Sequence, residues 1–290
     1  MIRRTYDGAM SVLVGLFLFF SPAFATTAAT PAALEQQLEQ NPDNVKIRTQ
    51  LAKHYLAESK FDKVIELLNA YTDQLSAEAF RILAFSYSGK NDHTNEVRIL
   101  NLLVSKNEEE YRAHMLLAQA YFKLATTIAE PKRQSDTLTL GIQRLRKTLQ
   151  LSPKYKPAFD LLLKTFLSQK ANNEARELIM EGIEKFGHRP ELFRELCKLD
   201  STDGYLPQAV KNCTESISLS RDYPDHYVYL MQTYHDQKED KKAEKVAVQA
   251  AKKFPNSEFV QWASGRLFLE RKNYPVASRY FKAAIRAKAD

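Results

Sequence analysis

The only two cysteines of this 290-residue chain, Cys197 and Cys213, bracket the stretch CKLDSTDGYLPQAVKNC. Two thiols at this spacing suggest four kinds of chemistry: metal ligation, redox exchange, a structural cross-link, or two unrelated buried thiols. Zinc needs about four nitrogen or sulfur ligands, and no histidine or third cysteine falls between these two. A redox catalyst carries C-x-x-C, and this spacing is C-x15-C. A cross-link and two separate thiols both stay open on these residues alone. The six histidines, at 54, 93, 114, 188, 226 and 235, are scattered. His235 lies close to Asp236, Glu239 and Asp240, a cluster of metal-ligating types, but in a polar stretch where such residues occur as a solvated turn. HExxH, GxSxG, the phosphate-binding loop and GxGxxG are all missing. These observations point away from an enzyme, a cofactor or a metal, and towards binding.

The elements that carry these residues read as helices. Gly is scarce at 8 residues, and Ala, Leu, Lys, Glu and Gln, all good helix formers, are common. Apolar residues recur at i, i+3 and i+4, and strands would alternate. The first 25 residues differ in character. Arg3 and Arg4 precede the apolar run SVLVGLFLFF, and SPAFA follows with small residues at Ala23 and Ala25. This is the layout of a secretory signal peptide, 1–25, cleaved near Ala25. The apolar run is shorter than the ~20 residues a spanning helix needs, so no membrane span is expected in the mature chain. The expectation is an exported protein, periplasmic in a bacterial host. Loss of Arg3, Arg4 and Asp7 would lower the net charge from +7 to +6. For an exported chain with pI near 9.1 the suitable anionic partners are acidic protein segments, lipid headgroups or envelope polymers, not nucleic acid.

A fixed internal period organises the rest. With Pro224 as position 1, Tyr227 is at 4, Leu230 at 7, Met231 at 8, Tyr234 at 11, Ala243 at 20, Ala247 at 24, Ala250 at 27 and Pro255 at 32. Steps of 34 residues place Phe193, Leu196 and Ala209 at 4, 7 and 20, and Phe159, Leu162, Phe166 and Ala175 at 4, 7, 11 and 20. From Glu258 the same positions bring Gly265 to 8, Phe268 to 11, Ala277 to 20, Phe281 to 24 and Ala284 to 27. This pattern resembles the tetratricopeptide repeat (TPR), a 34-residue unit of two antiparallel helices. The resemblance implies an all-α TPR solenoid, a right-handed superhelix of about seven repeats: 45–76, 77–110, 111–155, 156–189, 190–223, 224–257 and 258–290. Residues 26–44 would form a linker and a short leading helix. Small residues at 8 and 20 would let the helices approach, and large ones at 4, 7, 11 and 24 would fill the space around them. Repeat 111–155 holds 11 extra residues in KLATTIAEPKRQSDTLTLG. Both of its helices are expected to be longer, with EPKRQSD as a basic turn. No capping helix is expected after the last repeat, which ends in RYFKAAIRAKAD.

The family's ligand peptides lie along the first helices, at positions 2, 5, 9, 12 and 13. By that resemblance the candidate groove residues are Lys53, Arg81, Phe85, Met115, Gln119, Phe122, Lys123, Lys164, Arg194, Lys198, Gln232, Trp262 and Arg266. Cations bind carboxylates, amides pin backbone and aromatics take side chains, so the surface suits an extended or acidic segment of a partner. The Lys/Asn clamp of chaperone-binding relatives does not transfer, because position 9 is never Asn and position 5 of the first repeat is Thr49. The resemblance therefore implies a non-enzymatic, protein-binding adaptor of the cell envelope. The alternative is a scaffold for an envelope polymer, peptidoglycan or polysaccharide, which would favour a row of exposed aromatics. In the same register Cys197 is position 8 and Cys213 position 24, at equal height on facing helices, where Cα atoms can come within the 4.4–6.8 Å that a disulfide needs. Position 11 of that repeat is Asp200 in place of an aromatic. Its first helix is thus expected to end early and pack poorly, with the disulfide in compensation.

Overall fold

In a computed structural model, which describes residues 30–289, every regular element is helical. The signal peptide expected over 1–25, and residues 26–29 of the linker, lie outside the described residues. The elements are α1 (Pro31–Gln40), α2 (Val45–Ala57), α3 (Phe61–Leu68) with a 3₁₀ extension (Asn69–Gln74), α4 (Ala77–Gly89), α5 (His93–Lys106), α6 (Tyr111–Thr127), α7 (Pro131–Leu151), α8 (Lys156–Ser168) and α9 (Asn172–Phe186). They continue as α10 (Pro190–Thr202), α11 (Leu206–Leu219), α12 (Pro224–Asp236), α13 (Asp240–Lys253), α14 (Glu258–Glu270) and α15 (Tyr274–Ala289). The described residues divide into two compact units, 30–82 and 83–289.

In the first unit α1 packs on α2 and α2 on α3. Thr30 caps α1 and Asn44 caps α2 through side-chain oxygens that accept from Ala33 and Ile47 amides. Tyr55 donates to the Glu35 carboxylate across α1 and α2, and that bond, followed by burial, pushes the phenol up to about 12.

In the second unit consecutive helices pair, and each pair also packs on the next: α7 on α8, α11 on α12, α13 on α14, and α10 on α12 on α14. The packing is an interlock of large rings and small residues. A Cβ on Gly141 would run into the ring of Phe122, one on Gly182 into Phe159, and one on Gly265 into Phe281. Each glycine is a place where a ring lies against helix backbone, which one methyl group would prevent.

The turns inside the pairs share one geometry. Ser59, Asn91, Lys170, Gly204, Lys238 and Lys272 all have positive φ, between 56° and 81°. The amide that follows each donates back to the carbonyl five residues earlier: Lys60 to Tyr55, Asp92 to Tyr87, Ala171 to Phe166, Tyr205 to Asp200, Glu239 to Tyr234 and Asn273 to Phe268, at 2.8–2.9 Å. This is the left-handed termination that satisfies the last carbonyls of a helix. Only one of the six turns has glycine, the residue without a steric penalty there. The α6–α7 connection departs from this form. It is only Ile128–Glu130, because Pro131 opens α7. The basic turn expected over EPKRQSD is thus a correction: a proline fits the first turn of a helix, so PKRQSD belongs to α7. The extra length goes into α6 (17 residues) and α7 (21 residues).

The stretch around Asp200 is a second correction. Helix α10 runs 13 residues, as do α8, α12 and α14. Asp200 is 3% exposed and well satisfied: it accepts from Arg176 Nε at 3.0 Å and from Asn212 Nδ2 at 2.7 Å. Arg176 also reaches Asp203 at 2.9 Å, and this contact holds the Asp203 carboxyl below the usual range. A paired, hydrogen-bonded charge can occupy an aromatic position, and loss of one partner typically costs about 3–5 kcal/mol.

Two buried histidines complete the core. Ser216 Oγ donates to the Pro190 carbonyl at 2.7 Å, so its single proton is used, and His226 Nδ1 must donate to it at 2.9 Å. His114 Nε2 donates to the Glu108 carbonyl at 2.9 Å. His226 Nε2 and His114 Nδ1 are buried acceptors with no partner among the described residues.

Two outcomes are expected. Lys238→Gly relaxes a left-handed turn and should raise stability, whereas Gly204→Ala should lower it by about 1 kcal/mol in denaturant titration. Burial holds both imidazoles below their ordinary range, while the unfolded ones titrate near about 6.5. Stability is therefore full above pH ~6.5 and falls as pH drops below it, since the unfolded chain then binds more protons. Thermal melts between about pH 5.5 and 7.5 should show this slope, and it should flatten in the His114→Gln, His226→Gln double variant. An equal slope in that variant contradicts the assignment.

Candidate partner-binding face

The first helices of successive pairs carry the candidate residues. In the first unit Lys53 on α2 is exposed and pairs with Glu78 at 2.7 Å, and Arg81 on α4 is half-buried. In the second unit Phe85 is 42% exposed, Gln119 half-buried and Gln232 exposed. Met115 is 7% exposed, sits in the core cluster of Leu145, Phe159 and Leu162, and does not line the α8–α10 cleft. Phe122 is half-buried with its ring against Gly141, and its role is packing. Both corrections have one cause. Both side chains pack against α7, Met115 in the cluster of Leu145 and Phe122 at Gly141.

Carboxylates of the chain itself engage most of the cations. Lys123 bonds Glu96 at 2.8 Å and Ser88 at 2.7 Å. Arg194 bridges Glu195 at 2.9 Å and Asp225 at 2.8 Å, and Lys198 reaches Glu195 at 3.1 Å while lying 4.7 Å from the Tyr229 ring centre. Burial alone would lower the Arg194 guanidinium, and Glu195 and Asp225 more than restore it. Arg266 pairs with Glu270 at 3.1 Å and lies 5.2 Å over the Trp262 ring. Lys164 is exposed and has no ion pair among the described residues.

Two features of this face bring candidates together. Helices α8 and α10 flank an open cleft of about 410 Å³. Phe159, Leu163 and Leu192 give it an apolar floor, and Lys164, Arg194 and Glu195 stand at its rim. On α14, Phe259, Trp262 and Leu269 are 44%, 46% and 45% exposed. Their spacing, with Arg266 between, puts them on one helix face. Phe259 and Leu269 were not singled out from the sequence, although they stand at positions 2 and 12 of the last repeat. The paired carboxylates Glu195, Asp225 and Glu270 were missed too. Each lies on the same helix as its cation or one repeat on, and a register check of opposite charges would have found them.

The cysteines are not part of this face. Cys197 and Cys213 are 0% and 1% exposed, at disulfide distance across α10 and α11, with Cα atoms 5.1 Å apart. Among the described residues no group of three or more His, Cys, Asp or Glu is placed to hold a metal ion. His235 is engaged by Asp240 at 3.3 Å and Glu270 at 2.9 Å. No described helix is long and apolar enough to cross a membrane.

No family model and no curated protein matches the chain. Solved structures do. The C-terminal part of a TPR repeat-containing protein from Cytophaga hutchinsonii aligns at 18% identity and a TM-score of 0.53, over 72% of this chain and 79% of that one. The fold is that of a TPR solenoid. YrrB, described as a TPR protein with an unusual peptide-binding site, aligns at 13% identity and TM-score 0.45 over 66% of this chain and 93% of that chain. MamA aligns at 20% and 0.46 over 55% of this chain and 92% of that chain. In a TPR fold the buried pair at positions 8 and 24 closes the α10–α11 hairpin upon itself. A cross-link over a separation of 16 residues is worth about 3 kcal/mol. Intact protein purified without reductant should weigh about 2 Da less than the reduced chain. Reduction should lower stability by about 3 kcal/mol, and two free thiols in such material would refute the cross-link.

Proposed function

We propose that the chain is a non-catalytic protein-interaction scaffold. It takes an extended segment of a partner along its first-helix face, in the envelope of a cell that exports it. The observation that carries this reading is the α8–α10 cleft, with an apolar floor and the exposed, unpaired Lys164 at its rim. Backbone of a bound segment would follow the helices, an apolar side chain would enter over Phe159 and Leu163, and a carboxylate would meet Lys164. Most other cations of the face are already neutralised by the chain. A uniformly acidic ligand would have to break those pairs, so a mixed apolar and acidic segment fits better than a polyanion. The aromatic stripe of α14 offers a second anchor, and Trp is enriched among residues that dominate binding. Export is inferred from the sequence of residues 1–25 and agrees with a cysteine pair suited to an oxidising compartment. The polymer-scaffold alternative needs a row of aromatic platforms. With Phe122 packed inward, Phe85 and the Phe259–Trp262 pair of α14 are left, which is no continuous row of platforms.

Crosslinking in native cell envelopes followed by mass spectrometry tests this reading. One protein partner should be recovered with the unaltered chain and lost with Lys164→Glu combined with Lys198→Glu. Undiminished recovery with that variant would exclude this face.

A further inference from the structure

The second helices carry an electrostatic pattern on the side away from their partners. Counted in the 34-residue register, position 22 reads Glu177 on α9, Lys211 on α11, Lys245 on α13 and Arg279 on α15. Position 29 reads Glu184, Ser218, Lys252 and Arg286. These eight residues are exposed. Lys241 and Lys282 join the same faces of α13 and α15 by helical spacing. Lys211, Lys241, Lys245, Lys252, Arg279, Lys282 and Arg286 are all exposed and have no ion pair among the described residues. Nearby carboxylates are engaged elsewhere: Asp240 and Glu244 by Arg271, and Glu239 by Lys242. Helix α15 has no acidic residue between Tyr274 and Ala289. Among these cations stand two exposed aliphatic side chains, Val248 at 52% and Ile285 at 71%.

We propose that this basic outer face of α11, α13 and α15 docks the chain on an anionic lipid bilayer. Three observations favour a bilayer over other polyanions. The cations spread over three helices and line neither the α8–α10 cleft nor the cleft between Leu206 and Lys242, so they suit a broad surface better than a threaded chain. The apolar residues among them are aliphatic, as for insertion at the headgroup boundary, where single-stranded nucleic acid would need aromatic stacking. The acidic outer face of α9, with Glu177, Glu181 and Glu184 exposed, ends the patch on one side. A cation near an anionic membrane surface contributes about fivefold in partitioning. Seven are enough for reversible peripheral binding that salt weakens. This docking does not depend on the peptide reading, because it uses the opposite helices.

Co-sedimentation of the full chain with vesicles tests the proposal. Binding is expected to phosphatidylcholine vesicles that contain phosphatidylglycerol, not to phosphatidylcholine alone, and is expected to be lost in about 0.5 M salt. Lys245→Gln, Arg279→Gln and Lys282→Gln together should reduce partitioning roughly a hundredfold, with an unchanged melting temperature because all three are exposed. Lys164→Glu should bind vesicles as the unaltered chain does. The proposal is overturned if anionic vesicles are not bound, or if the triple variant binds them equally well. Binding of polyglutamate or single-stranded DNA through this face, without vesicle binding, would also overturn it.

Discussion

A single helix pair of this chain cannot bury its own apolar face. The ring of Phe159 lies over the backbone of α9 at Gly182, the ring of Phe281 over α14 at Gly265, and the ring of Phe122 over α7 at Gly141. Each contact exists because one helix offers a small residue where the other offers a large one. The face of the pair that remains is covered only when the next first helix arrives, as α8 covers α7 and α12 covers α11. The stacked architecture follows from this one-sidedness. A Gly204 turn, a Pro131 start or a buried Asp200 can vary so long as the interlock is kept.

Packing uses two sides of every helix and leaves one free. On first helices the free side holds the α8–α10 cleft and the α14 aromatic stripe. On second helices it is a charged surface, acidic on α9 and basic on α13 and α15. The two surfaces have different electrostatic character. Cations of the first-helix face are mostly held by Glu96, Glu195, Asp225 and Glu270, whereas the seven of the outer face make no ion pair among the described residues. A neutralised ladder is selective for shape and local charge, and an unneutralised one is responsive to any extended anionic surface.

The all-α repeat character was legible in the sequence because the small-and-large pattern recurs at a fixed period, and a fixed register is hard to produce by chance. The proximity of Cys197 and Cys213 was legible for the same reason. What failed depended on neighbours distant in sequence. Asp200 looked like a defect because its partners, Arg176 and Asn212, lie in the preceding repeat and on the second helix. Met115 and Phe122 looked like groove residues because the register does not show that Leu145 and Gly141 of α7 pack against them. The paired state of Lys123, Arg194 and Lys198 was not visible from position alone, because a cation's availability depends on its nearest carboxylate.

The central claim is that the first-helix face, kept out of the packing, is where a partner segment lies. A photo-crosslinking residue placed at Lys164 and, in a separate protein, at Glu177 on the outer face of α9 separates the two sides of the array. The account predicts a discrete protein adduct from position 164 and none from position 177 when the chain is illuminated in its native cells. Adducts from position 177 alone, or none from position 164 in a folded protein, would contradict it.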